Sequence, residues 1–182
     1  MKKQTSRAYW ISVSLLVLTF VIATFCAEPQ AIKHRFCIYQ LKDFRWNEPP
    51  GKLAEVGLED TPLLTENDLV SYDWETHTLT LTKGGGKTFA DKAKAGFVVI
   101  ADGQRCYRGR FWSSYLSSTC NQPVILVNDL SGDTVQIQRA YPSARFASGD
   151  DPRPDERIQR VLRELGKLKE PVSATEQKST KP

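Results

Sequence analysis

FVVIADGQRCYRGRF, residues 97 to 111, decides how this chain is built. An apolar run meets Asp102-Gly103, and a second extended stretch follows. Asp-Gly supplies the positive φ angles that a tight hairpin turn needs. The stretch therefore predicts two antiparallel strands, Phe97 to Ile100 and Gln104 to Phe111.

Outward from this hairpin the pattern continues. WSSYLSSTCNQ, residues 112–122, reads as a serine-rich loop or short helix, and PVILV, 123–127, as a buried strand. NDLSGD turns the chain into TVQIQRAY, 134–141, where Val135 and Ile137 share a face, so a second hairpin is expected. Upstream, FCIYQLKDF, 36–44, reads as the first strand, and NEPPG, 47–51, breaks it. VSYDWETHTLTLT, 70–82, is strand-like, with Leu79 and Leu81 opposite Thr78, Thr80 and Thr82.

Two short helices are expected, one beginning in Leu63 to Val70, where Thr65 precedes Asp68 by three, and one over Thr88 to Ala95, with Thr88 as N-cap. Asp151 to Lys169 spaces Ile158, Val161, Leu162, Leu165 and Leu168 as an amphipathic helix. The expected fold class is α+β, a mostly antiparallel sheet of about five to six strands with a short helix and a C-terminal amphipathic helix. Residues 171–182 read as a disordered tail beyond a single domain at 28–170.

The amino terminus gives an address. Lys2, Lys3 and Arg7 precede an uncharged run from Trp10 to Cys26, the pattern of an export segment. The run is near the length of about 20 residues that spans a bilayer, so residues 1–27 fit either a cleaved signal or a retained anchor. Cys26 sits where a lipoprotein carries its acylated cysteine, although Phe25 before it is large for that site. The basic start places everything from Glu28 onward outside the cytoplasm, periplasmic or extracellular.

Composition removes some functions. The formal charge of +4 falls to +1 once Lys2, Lys3 and Arg7 leave, so no nucleic-acid patch is implied. GGGKT, 84–88, invites a phosphate-loop reading, but Leu81 stands where the first glycine belongs. The preceding strand alternates where a phosphate-loop strand is continuously apolar. The glycines are expected to form a turn, with no nucleotide and no cofactor.

Cys37, Cys106 and Cys120 follow the export segment. An oxidising compartment favours pairing, and a Cys106–Cys120 bridge would close a short loop worth about 3 kcal/mol. Three reduced, buried cysteines are the competing reading. His34 and His77 have no metal-ligand spacing, and His77 is read with the threonines on the polar side of its strand, so exposure is expected. A nucleophile from Cys106 or Cys120 with His77 lacks a local signature. Among carboxylates, Asp73 and Glu75 read as solvent-facing and Asp102 as a turn residue, so no catalytic residue is assigned.

The segment from Asp68 to Ser114 resembles part of the periplasmic domain of the SecD protein-export subunit. The matching pieces are His77 to Thr82, Thr88 to Ala95 and Phe97 to Gly103. The resemblance implies an α+β domain that works by contact and movement. The multi-span membrane portion of that subunit has no counterpart here, so transport does not carry over. In overall plan the chain resembles small bacterial secreted and lipoprotein-like proteins.

The most suggestive surface is RGRFWSSYLSS, 108–118, where Arg108, Arg110, Trp112 and Tyr115 combine the residue types enriched at binding hot spots. The competing reading has Phe111 and Trp112 sealing the core. The expectation is a non-catalytic domain acting by contact with an envelope protein, touching the membrane only through its N-terminal segment. The alternative is a secreted hydrolase or a module binding carbohydrate or a small ligand.

Overall fold

A computed structural model describes residues 33–46 and 51–169. The stretches read as an export segment and as a tail lie outside these residues. Nine strands follow in chain order: β1 Phe36–Gln40, β2 Leu64–Thr65, β3 Leu69–Asp73, β4 Thr78–Leu81, β5 Gly96–Ala101, β6 Gln104–Trp112, β7 Val124–Leu126, β8 Thr134–Gln138 and β9 Leu168–Lys169, with one α-helix, α1, at Glu156–Glu164. They form a single sheet ordered β2-β1-β5-β6-β7-β8-β4-β3-β9. Two joins, β6 to β7 and β3 to β9, are parallel and the others antiparallel.

This corrects the expected α+β class. The protein is mostly sheet, mixed in direction, with nine strands and one α-helix among the described residues. The expected hairpins are present, as β5–β6 and β7–β8. The stretch read as one strand at 70–82 is itself a hairpin, β3 and β4, turned at Asp73 to His77. Both short helices are corrected. At Thr65 to Asp68 the Asp68 carboxylate accepts from the Thr65 N–H at 2.8 Å and its hydroxyl at 2.9 Å, which closes a turn between β2 and β3. In place of a helix from Thr88, a single 3-10 turn covers Gly85–Phe89.

Strand order also dictates curvature. β2 opens the order and β3 stands eighth, yet only Glu66, Asn67 and Asp68 join them. Seven spacings of about 4.8 Å would separate them by about 34 Å in a flat sheet, whereas four residue steps reach about 15 Å at most. The sheet is therefore rolled into an open barrel around its apolar face. Tyr72 of β3 and Tyr107 of β6, separated in the order by three strands, accordingly belong to one core, with Phe36, Phe97, Phe111 and Ile137.

α1 closes that core. Ile158, Val161 and Leu162 lie on one face and are fully buried, and the helix packs on β1 and β5. Asp155 caps its start by accepting from the Arg157 N–H at 2.9 Å. At its end Gly166 takes φ 67°, with Gly166 N–H to Arg163 O and Lys167 N–H to Leu162 O, the paired bonds that terminate a helix.

β5 is buried on both faces. Phe97 and Val99 point into the barrel, while Val98 and Ile100 face the opposite side. A strap, residues 41–46 and 51–57, crosses that outer face. On β6, Gly109 faces Phe97, where an added Cβ would meet the ring at 2.3 Å and Pro123 O at 2.5 Å. Only glycine lets the ring lie there.

Candidate functional site

β6 carries the site on its outer face. Tyr107, Gly109 and Phe111 point inward, so Arg108, Arg110 and Trp112 alternate to the outside. An irregularity opposite Val99 and Ile100 leaves Cys106 as the extra residue and keeps Arg105 on the same outer face.

The arginines tie the strap to the sheet. Arg105 donates to Leu53 O and Val56 O, each at 2.7 Å. Arg108 donates to Gly51 O at 2.5 Å, and Arg110 to Trp46 O at 3.4 Å. Arg110 also lies 5.4 Å from the centres of both the Phe44 and Trp46 rings. Trp46 stacks on Trp112 at 4.6 Å and 23°, and Trp112 leans on Tyr141 at 6.2 Å. These rings, with Cys120 and Val124, make a second, smaller core outside the barrel.

Between strap and β6 lies a cavity of about 260 Å³. Leu41, Phe44 and Val56 give it apolar walls. Lys42, Arg45, Arg108 and Arg110 bring positive charge against one carboxylate, Asp43. Arg108 and Arg110 show no carboxylate partner among the described residues, and the buried Nε of Arg110 has no hydrogen-bond acceptor. Burial first, then the neighbouring charge of Arg110, pulls the Arg108 guanidinium below its ordinary value. A shallower hollow of about 440 Å³, lined also by Arg139, shares Arg108 and Gln122 with this cavity.

Of the four residues singled out in the sequence, Arg108 and Arg110 meet at the cavity. Trp112 is 2% exposed and lies in the wall of the second core. Tyr115, 86% exposed on the following loop, lines neither hollow. Sequence reasoning missed Phe44 and Val56 as partners. The aromatic pair in FRW, just before NEPPG, was the available signal.

GGGKT forms a turn. Gly84 takes φ 87° and its N–H donates to the Asp133 carboxylate at 2.7 Å, so the chain's own anion occupies the place a phosphate would want. A Cβ on Gly86 would fall 2.1 Å from Gly132 O, so its glycine serves packing against the 128–133 turn.

His77 is a correction: it is buried, 6% exposed, with φ 52°. Its Nδ1 shares a 2.9 Å hydrogen bond with the Tyr72 hydroxyl. Burial, then the charge of Arg153, pulls its pKa down to about 4. That Arg153 is clamped on Asp151 and donates to Ile137 O. His34 Nδ1 lies 3.4 Å from the Glu66 carboxylate.

The three described cysteines are free thiols, without the expected Cys106–Cys120 bridge. Burial raises each, Cys37 to about 12 and Cys106 to about 11, so none is an activated nucleophile. Asp73 caps its turn through the Thr76 N–H and hydroxyl, each at 2.8 Å, and is held below the usual carboxylate range by them. Asp102 is held low by Arg35, at 3.0 Å. Glu75 is exposed. No group of three metal-ligating residues gathers among the described residues, and no helix among them is long and apolar enough to cross a membrane.

Comparison of the chain with known protein families, characterised proteins and solved structures finds no match.

Proposed function

We propose that this chain is an exported, non-catalytic domain that works by contact at the bacterial cell envelope, and that the contact is made on the outer face of β6. One observation carries the choice of surface: Arg108 and Arg110 meet at a concavity with unspent donors and no described carboxylate partner. Arginine is favoured at binding hot spots because its fork makes directional bonds to a partner. The export segment supports the address.

The test is affinity capture from envelope extract with the full chain as bait, beside an Arg108→Gln/Arg110→Gln variant whose melting temperature is checked. The expected result is a partner recovered with the unaltered chain and lost with the variant. Equal recovery with both would remove this surface.

A further inference from the structure

The cavity between strap and β6 is a pocket of mixed character, in which the strap brings both apolar side chains and charge, Lys42 and Arg45 against Asp43. Arg108 and Arg110 stand on the sheet side, and Leu41, Phe44 and Val56 supply apolar wall. At about 260 Å³ it far exceeds a single water's share of about 30 Å³. We infer that this cavity holds a carboxylate carried on a short apolar body, either the C-terminus of a polypeptide or a free organic acid.

Five features favour that chemistry. Arg110 makes one long bond, to Trp46 O at 3.4 Å, and its buried Nε–H lacks an acceptor, so its guanidinium has donor capacity left for a ligand at the cavity. Arg108 spends one of its five donors on Gly51 O among the described contacts. Two guanidinium groups side by side match the two oxygens of a planar carboxylate. The rings of Phe44 and Trp46 already hold the Arg110 guanidinium, which fixes its orientation before a ligand arrives. The apolar walls would be wasted on inorganic phosphate.

The inference rests on the proposed contact surface and specifies its occupant. The experiment titrates the full chain, in a neutral detergent, with N-acetyl-leucine, N-acetyl-leucinamide, hexanoate, hexanol and inorganic phosphate. Readouts are tryptophan fluorescence, which Trp46 and Trp112 report, and the Arg110 Nε–H resonance. Both acids are expected to saturate and to bind at least about tenfold more tightly than their neutral counterparts, with Arg110→Gln weakening them about tenfold. Tighter binding of N-acetyl-leucine assigns the site to a chain terminus, and tighter binding of hexanoate to a free acid.

Equal binding of the neutral compounds would overturn the inference, as would phosphate binding as tightly as the acids. Because the neutral compounds are compared on the unaltered chain, the result stands even where Arg110→Gln fails to fold. Partner capture that depends on Arg108 and Arg110 without any carboxylate binding would sink this inference and leave the contact surface standing.

Discussion

Trp112 and Tyr115 stand three residues apart and differ completely in what they touch. Trp112 is packed between Trp46 and Tyr141, whereas Tyr115 is 86% exposed. Trp112→Ala is therefore expected to cost about 3–5 kcal/mol, and Tyr115→Ala less than about 0.5 kcal/mol, both read from urea unfolding. Equal effects would mean the second core contributes little. His77 gives a pH prediction. Its imidazole stays neutral in the fold down to about 4 but takes a proton near 6.5 once unfolded. The folded pKa is depressed, so this stability is complete above 6.5 and is lost as pH falls from there through about 4. The loss amounts to about 2–3 kcal/mol. His77→Asn, which tolerates the positive φ, should flatten the profile between pH 6.5 and 4, separating it from the titration of Asp73, Asp102 and Asp151 below that window. The burial of His77 was legible and was misread: in THTLTLT it stands two residues before Leu79, so alternation puts it on the apolar side with Leu79 and Leu81 and not among the threonines. His77 precedes β4, in the turn.

At the scale of elements, the sequence was most informative where a turn has a chemical signature. Asp102-Gly103 placed β5 and β6, and Pro152 and Pro154 ahead of an apolar stripe placed α1. The helix expected over Asp151 to Lys169 nevertheless ends at Glu164, and Leu168, read as the last of its stripe, lies in β9 and pairs with Tyr72. Thr65 and Asp68 misled because a capping pair and a tight turn use the same side-chain bonds; the following residues decide which, and here they begin β3. Two predictions test these elements by chemical denaturation. Gly109→Ala should cost about 1–3 kcal/mol through overpacking against Phe97. Asp155→Ala should cost about 1 kcal/mol by uncapping α1. The GGGKT turn belongs at this scale too. With Asp133 seated on the Gly84 N–H, millimolar ATP or GTP should show no binding by calorimetry, and a micromolar affinity dependent on Lys87 would reverse the assignment.

For the molecule as a whole, the sequence showed most strands but not their order. β2 and β9 are two residues each, too short for any periodicity. β7 runs parallel to β6 because residues 113–123 are enough to carry the chain back across the sheet. The cavity was half legible for a related reason: Arg108 and Arg110 lie within one readable strand, while Phe44 and Val56 reach them only through the strap. That same order has a consequence in time. β1 forms first in chain order, yet its main partner β5 lies some sixty residues further along, and the three-residue link from β2 to β3 can help only after both sides of the roll exist. Distant pairing of this kind slows folding toward the millisecond-to-second range. Until then the FVVI and PVILV runs stay uncovered, open to whatever other chain meets them first.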